Sequence, residues 1–179
     1  PPTVDVQFHN EPPQIDNSRS QAEMAQLKEH SSSPNYGAEF PIVAGLTDSH
    51  FEAGFRMEVT NATYPGDNSA CLWAKTINIT VTYTPTIYVS SSYRPGSCRY
   101  KLTEGHEIKH VGVDVITLRE YLPRFRQAAE AVVADWHGMG PIDGDLIKAN
   151  QESMSKTISE ALKDVSQKMQ ETRRARQQQ

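Results

Sequence analysis

No stretch of this chain approaches the eighteen or so consecutive apolar residues that a membrane-spanning helix requires, so no membrane span is expected. No secretory leader is read in the given residues, and with Pro rather than Met first a processed or trimmed chain is expected. Excess positive charge is absent: 18 Lys and Arg against 22 Asp and Glu give a net charge of −4, which leaves no electrostatic footprint for nucleic acid. The one basic cluster, Arg173, Arg174 and Arg176, lies in a Gln-rich tail and reads as a solvated helix end. Cysteine is scarce, with two in 179 residues, a length that suits one compact domain plus appendages.

Cys71 and Cys98 flank a strand-rich stretch and form no C-x-x-C pair. At the two ends of an expected hairpin they suit a disulfide, which would stabilise by about 3 kcal/mol. A disulfide implies a periplasmic or secreted protein; the other reading is two buried free thiols. Asn61-Ala62-Thr63 and Asn78-Ile79-Thr80 fit the glycosylation sequon, a match frequent by chance.

Three regions follow from the patterning. Residues 1–39, rich in Pro, Ser, Asn and Gln, read as an extension with a short strand at Val4–Phe8, a weak helix over Gln21–His30 and a loop at Ser31–Asn35. From Phe40 to His137 strands precede helices: Phe55–Val59 alternates, Ala70–Tyr83 alternates over Ile77, Ile79, Val81 and Tyr83, and Thr86–Val89 adds another strand before the turn Arg94–Ser97. Asn78, Thr80 and Thr82 lie between the apolar positions, so one face of this sheet is expected to be solvated. After Gly138–Pro141, residues 138–179 form a linker and a long polar helix with the stripe Ile147, Met154, Ile158, Leu162, Val165 and Met169, capped by Asp145. Its stripe needs cover from the chain itself, a second copy or another protein.

The most informative residues are His106-Glu107-Ile108-Lys109-His110. On a helix, positions i and i+4 share a face, so His106 and His110 can hold one zinc ion, and Glu107 can act as general base and then acid on a metal-bound water. Ile108, Val111, Val115, Leu118 and Leu122 recur at spacings of three and four and form an apolar stripe about 200° from His106. A catalytic zinc wants a third protein ligand. Glu130, beyond Pro123 in a second helical run, Asp114 and His137 are the candidates. Asp114 shares the face of both histidines but stands about 12 Å along the axis from His106, which suits a partner that orients the His110 ring. Tyr83, Tyr121 and His137 are candidate oxyanion donors. The metzincin pattern is not met, since Val113 and Ile116 stand where it has Gly and His.

A helix with H-E-x-x-H followed by a glutamate about twenty residues later resembles the gluzincin, thermolysin-like, metallopeptidases. The resemblance implies peptide-bond hydrolysis with Glu130 as the third zinc ligand. The acidic residue that the family carries four positions further on is Ala134 here, with Asp135 one step later. Residues 40–137 also loosely resemble small exported bacterial zincin-like domains. The expected fold is α+β: a small zincin-like domain with an antiparallel or mixed sheet, an active-site helix, a second helix and the long C-terminal helix. An extended peptide substrate is expected to add as a strand near residues 77–90. The rival from another class is a non-catalytic exported binding or assembly module, with a vestigial motif and a partner-binding C-terminal helix.

Overall fold

A computed structural model of the chain describes residues 2–30, 43–64, 66–134, 136 and 138–178. Its architecture is α+β. Five strands, β1 (Thr3–Asn10), β2 (Gln14–Asp16), β3 (Gly45–Thr63), β4 (Ser69–Val89) and β5 (Met139–Asp143), form one sheet, and three helices accompany them: α1 (Gln21–His30), α2 (Cys98–Val133) and α3 (Ile147–Gln177). β4 is the hub, since each of the other four strands pairs with it. Its alternation leaves Ile77, Ile79, Val81, Tyr83, Ile87 and Val89 without solvent exposure while Asn78 is exposed, as its sequence period of two requires. Because β4 is flanked in this way, the segment 77–90 is not the free strand expected for an added peptide. The described residues contain no helix long and apolar enough to cross a membrane.

The long elements contribute to two compact units. The first comprises Pro1–Phe8, Ala53–Val81 and Glu120–Lys168. Here β5 pairs antiparallel with β4, Ser69 opposite Asp143 and Leu72 opposite Met139, with a bulge between Ala70 and Leu72. The Asp143 carboxylate accepts from the Asn68 amide (2.8 Å) and from the Asp145 N–H (3.0 Å), so Asp143 rather than Asp145 caps the short 3₁₀ turn Gly144–Leu146 that leads into α3. The second unit comprises His9–Glu52, Thr82–Arg119 and Met169–Gln179. In it β2 runs parallel to β4, Gln14 to Asp16 opposite Thr86 to Tyr88. Ser20 and Glu23 form a capping box at the start of α1, the Ser20 N–H donating to the Glu23 carboxylate (2.7 Å) and the Glu23 N–H to the Ser20 hydroxyl (3.3 Å). The helix thereby sets Met24 against Val43 and Leu46.

α2 differs from its sequence reading in two ways. It starts eight residues before the motif, where the Ser97 hydroxyl accepts the Tyr100 N–H (3.3 Å), and it runs through Pro123 without ending, so there is no separate second helix. Its buried positions are Glu107, Val111, Asp114, Thr117, Leu118, Tyr121, Phe125, Ala129 and Val133. They recur every three or four residues, but the stripe is rotated from the apolar one: Ile108 is 48% exposed, and two carboxylates hold core positions. On α3 the stripe from Met154 to Met169 is buried, so this chain covers its own C-terminal helix.

Pro123 has no N–H to offer the carbonyl four residues earlier and is exposed. Pro123→Ala is therefore expected to raise the free energy of unfolding by about 1–3 kcal/mol. Urea denaturation measures this, and a lowered midpoint would mean that the ring's packing outweighs the missing bond.

Candidate functional site

The polar centre of the second unit is the carboxylate of Asp114, which has no solvent exposure. An ionised carboxylate in the interior is tolerated only if its lone pairs are filled by donors. Oδ2 accepts from the Ser49 hydroxyl of β3 (2.6 Å) and the Tyr83 hydroxyl of β4 (2.9 Å), and Oδ1 accepts from Arg173 Nε (2.6 Å) and Gln177 Nε2 (2.6 Å) of α3. Arg173 is therefore no solvated helix end; its guanidinium also stands 5.9 Å from the Phe51 ring centroid. Burial, and then the Asp114 charge, hold the Tyr83 hydroxyl above its ordinary pKa.

These bonds propagate to the histidines. Gln177 Nε2 also donates to the backbone carbonyl of His110 (2.9 Å), which fixes the orientation of its amide and turns Oε1 toward His110 Nδ1. Nδ1 then donates to it, since an amide oxygen only accepts. His106 Nε2 shares a hydrogen bond with His110 Nε2 (3.0 Å), and the rings meet edge to face with centroids 4.7 Å apart. A chain thus runs from carboxylate through amide to two imidazoles and ends at exposed His106. Asp114 acts on His110 through Gln177, without touching the ring.

Glu107 points elsewhere. It is 6% exposed, and its Oε2 accepts the Thr47 hydroxyl of β3 (2.8 Å). β3 can come so close because position 45 is glycine: a Cβ there would lie 2.5 Å from Thr103 Cγ2 and 2.8 Å from Glu107 Oε1.

Compared with protein-family models, with curated proteins and with solved structures, the chain matches none.

The expected three-residue zinc centre is corrected by the side chains themselves. Among the described residues no three His, Cys, Asp or Glu come together as a group that could hold a metal ion. Glu130 is exposed and sits twenty residues beyond His110 on the same continuous helix, roughly 30 Å of axial rise. Asp114 has both oxygens filled, and His137 lies outside the described residues, as does the Ser31–Asn35 loop. The described residues do not fit a three-ligand zinc centre, which withdraws the metal-binding reading and the support that the hydrolase reading drew from it. The oxyanion candidates are engaged as well: Tyr83 donates to Asp114, and Tyr121 to the carbonyl of Lys168 (3.2 Å). The disulfide is likewise corrected. Both cysteines are free, half-buried Cys71 in β4 and exposed Cys98 at the start of α2, one in each unit. With the disulfide goes the argument for an oxidising, exported setting.

Thr47, Ser49, Arg173 and Gln177 were missed. A signal existed for two of them, since Arg173 and Gln177 continue the α3 stripe four and eight residues after Met169.

Arg173→Ala would take the paired guanidinium from a buried carboxylate and is expected to cost about 3–5 kcal/mol of stability. Arg173→Ala combined with Asp114→Leu should recover most of that loss; chemical denaturation of the single and double variants measures it, and an Arg173→Ala cost below about 1 kcal/mol would show the pair to be energetically idle. Tyr83 gives a second test. Because its folded-state pKa is raised, the stability it contributes is complete below the ordinary tyrosine pKa of about 10 and is lost as pH rises above it. Alkaline melting should fall more steeply for the parent chain than for Tyr83→Phe, and parallel curves would contradict the assignment.

Proposed function

We propose that this chain is a binding module that takes up an extended polypeptide along the outer edge of β3, with the H-E-x-x-H residues of α2 bracing that edge from behind. The observation that carries the reading is the anchoring of β3: Thr47 bonds Glu107, Ser49 bonds Asp114, and Phe51 lies beside Arg173. Among the described residues β3 pairs with β4 alone. The Ala44 carbonyl accepts from the Ser90 N–H (3.0 Å), so even-numbered residues of this segment direct their backbone groups to β4, and Thr47, Ser49 and Phe51 direct theirs outward. An unpaired edge is a template for an added strand, and one held by its side chains loses little entropy on binding. Asp48, His50 and Glu52 are exposed on the opposite face, where the two carboxylates favour a peptide with Lys or Arg at alternate positions. In this reading the zincin-like pattern of α2 is architectural, and α3 takes part as a brace packed on its own chain.

The test is hydrogen exchange of the labelled chain with and without an alternating Lys-Val heptapeptide. The amides of Thr47, Ser49 and Phe51 should gain about ten-fold protection or more, while those of Asp48 and His50, already paired, change little. Absence of binding, or protection confined to other segments, would refute the proposal. So would near-stoichiometric zinc uptake with cleavage of the peptide, both lost in His106→Ala and His110→Ala, because that result belongs to the hydrolytic alternative.

A further inference from the structure

The first unit contains a cavity of about 130 Å³ whose walls include Leu72, Trp73, Trp136, Gly138, Met139 and Met154. We infer that it is a binding site for an uncharged single-ring aromatic molecule, separate from the β3 edge. Size is the first argument. An apolar protein cavity of roughly 150 Å³ stays dry when empty and takes up benzene, so the space here is on the scale of one ring. Chemistry is the second. Among the described residues none that lines the cavity carries a charge, which favours uncharged ligands. Indoles and thioethers are the side chains that gain most from a flat ring, by edge-to-face or offset stacking and by sulfur contacts at the ring edge.

Preorganisation is the third argument. Gly138 has φ +118°, and a Cβ on it would lie 2.5 Å from Nε1 of Trp73. Its bare backbone therefore lets the Trp73 indole lie directly on the chain, where that indole forms a wall instead of filling the cavity. Trp73 is 36% exposed, so a ligand can enter past it. Met154, by contrast, is 4% exposed and forms a buried wall.

The chain has two tryptophans and both line this cavity, so its intrinsic fluorescence reports occupancy without a label. Titration with toluene, excited at the red edge of indole absorption, should give a saturable change in emission with half-saturation below about 5 mM, a strength within reach of a seven-atom ligand. Benzoate, the same ring with a charge, should bind at least ten-fold more weakly. Ala74 also lines the cavity, and Ala74→Leu, which fills it, should abolish the change. Far-ultraviolet circular dichroism shows whether the variant is folded. A linear, unsaturable response of the parent chain to toluene overturns the inference, and so does an unaltered titration in folded Ala74→Leu; should Ala74→Leu fail to fold, the comparison of toluene with benzoate on the parent chain decides.

Discussion

A single buried carboxylate governs the arrangement of the second unit. The Asp114 carboxylate could not be buried without donors, and the donors it has come from β3, β4 and α3, with α2 supplying the acid itself. Each bond is worth on the order of 1.5–3 kcal/mol when charge-assisted, but the desolvation it offsets is of similar size. The consequence is specificity of arrangement more than net stability. Only one register of α3 against α2 places Arg173 and Gln177 on the same oxygen, and only one setting of β3 brings Ser49 to the other.

The same carboxylate determines the state of groups that it does not touch. Gln177 is oriented because its N–H₂ group has two acceptors, Asp114 Oδ1 and the His110 carbonyl, and an amide so held presents its oxygen to the imidazole. The donor role of His110 Nδ1 follows from donor and acceptor counting alone. A pair of histidines one turn apart therefore satisfies itself by hydrogen bonding. The spacing that suits chelation suits this equally, and what separates the two outcomes is whether a third acidic group reaches the pair.

The α+β class, the alternation of β4 and the stripe of α3 were legible in the sequence because each is periodic over many residues and each period is set by backbone geometry. The buried face of α2 was not legible. Reading apolar residues as core selects Ile108 and rejects Glu107 and Asp114, yet the latter two lie inside because donors from distant segments compensate them. Nothing local to residues 107 or 114 announces Thr47 or Arg173. Pro123 misled for a related reason: its rule is a cost of a few kcal/mol, and a 36-residue helix with buried residues on both sides of the proline can absorb it. The third ligand failed on the same point, since assigning Glu130 to the metal required a chain reversal after Pro123, and a continuous helix carries it away instead.

Thr47 and Ser49 show why the brace and the proposed edge belong together. In an extended strand the backbone N–H and C=O of a residue lie in the plane of the sheet while its side chain stands out of it. Thr47, Ser49 and Phe51 direct side chains toward α2 and α3, and the parity set by Ala44 directs their backbone groups to the outer edge. The residues that would meet an incoming strand are thus the ones whose conformations are already fixed from behind. Strand addition to a frayed edge must order that edge first, at roughly 1–2 kcal/mol per residue, whereas an edge pinned at alternate positions by buried carboxylates has incurred that cost on folding. A buried Glu and a buried Asp seven residues apart on one helix face, each bonded to a hydroxyl two residues apart on one strand, match the helical and extended repeats to each other. It is this match, more than the histidine spacing, that gives the H-E-x-x-H segment its structural meaning in the chain.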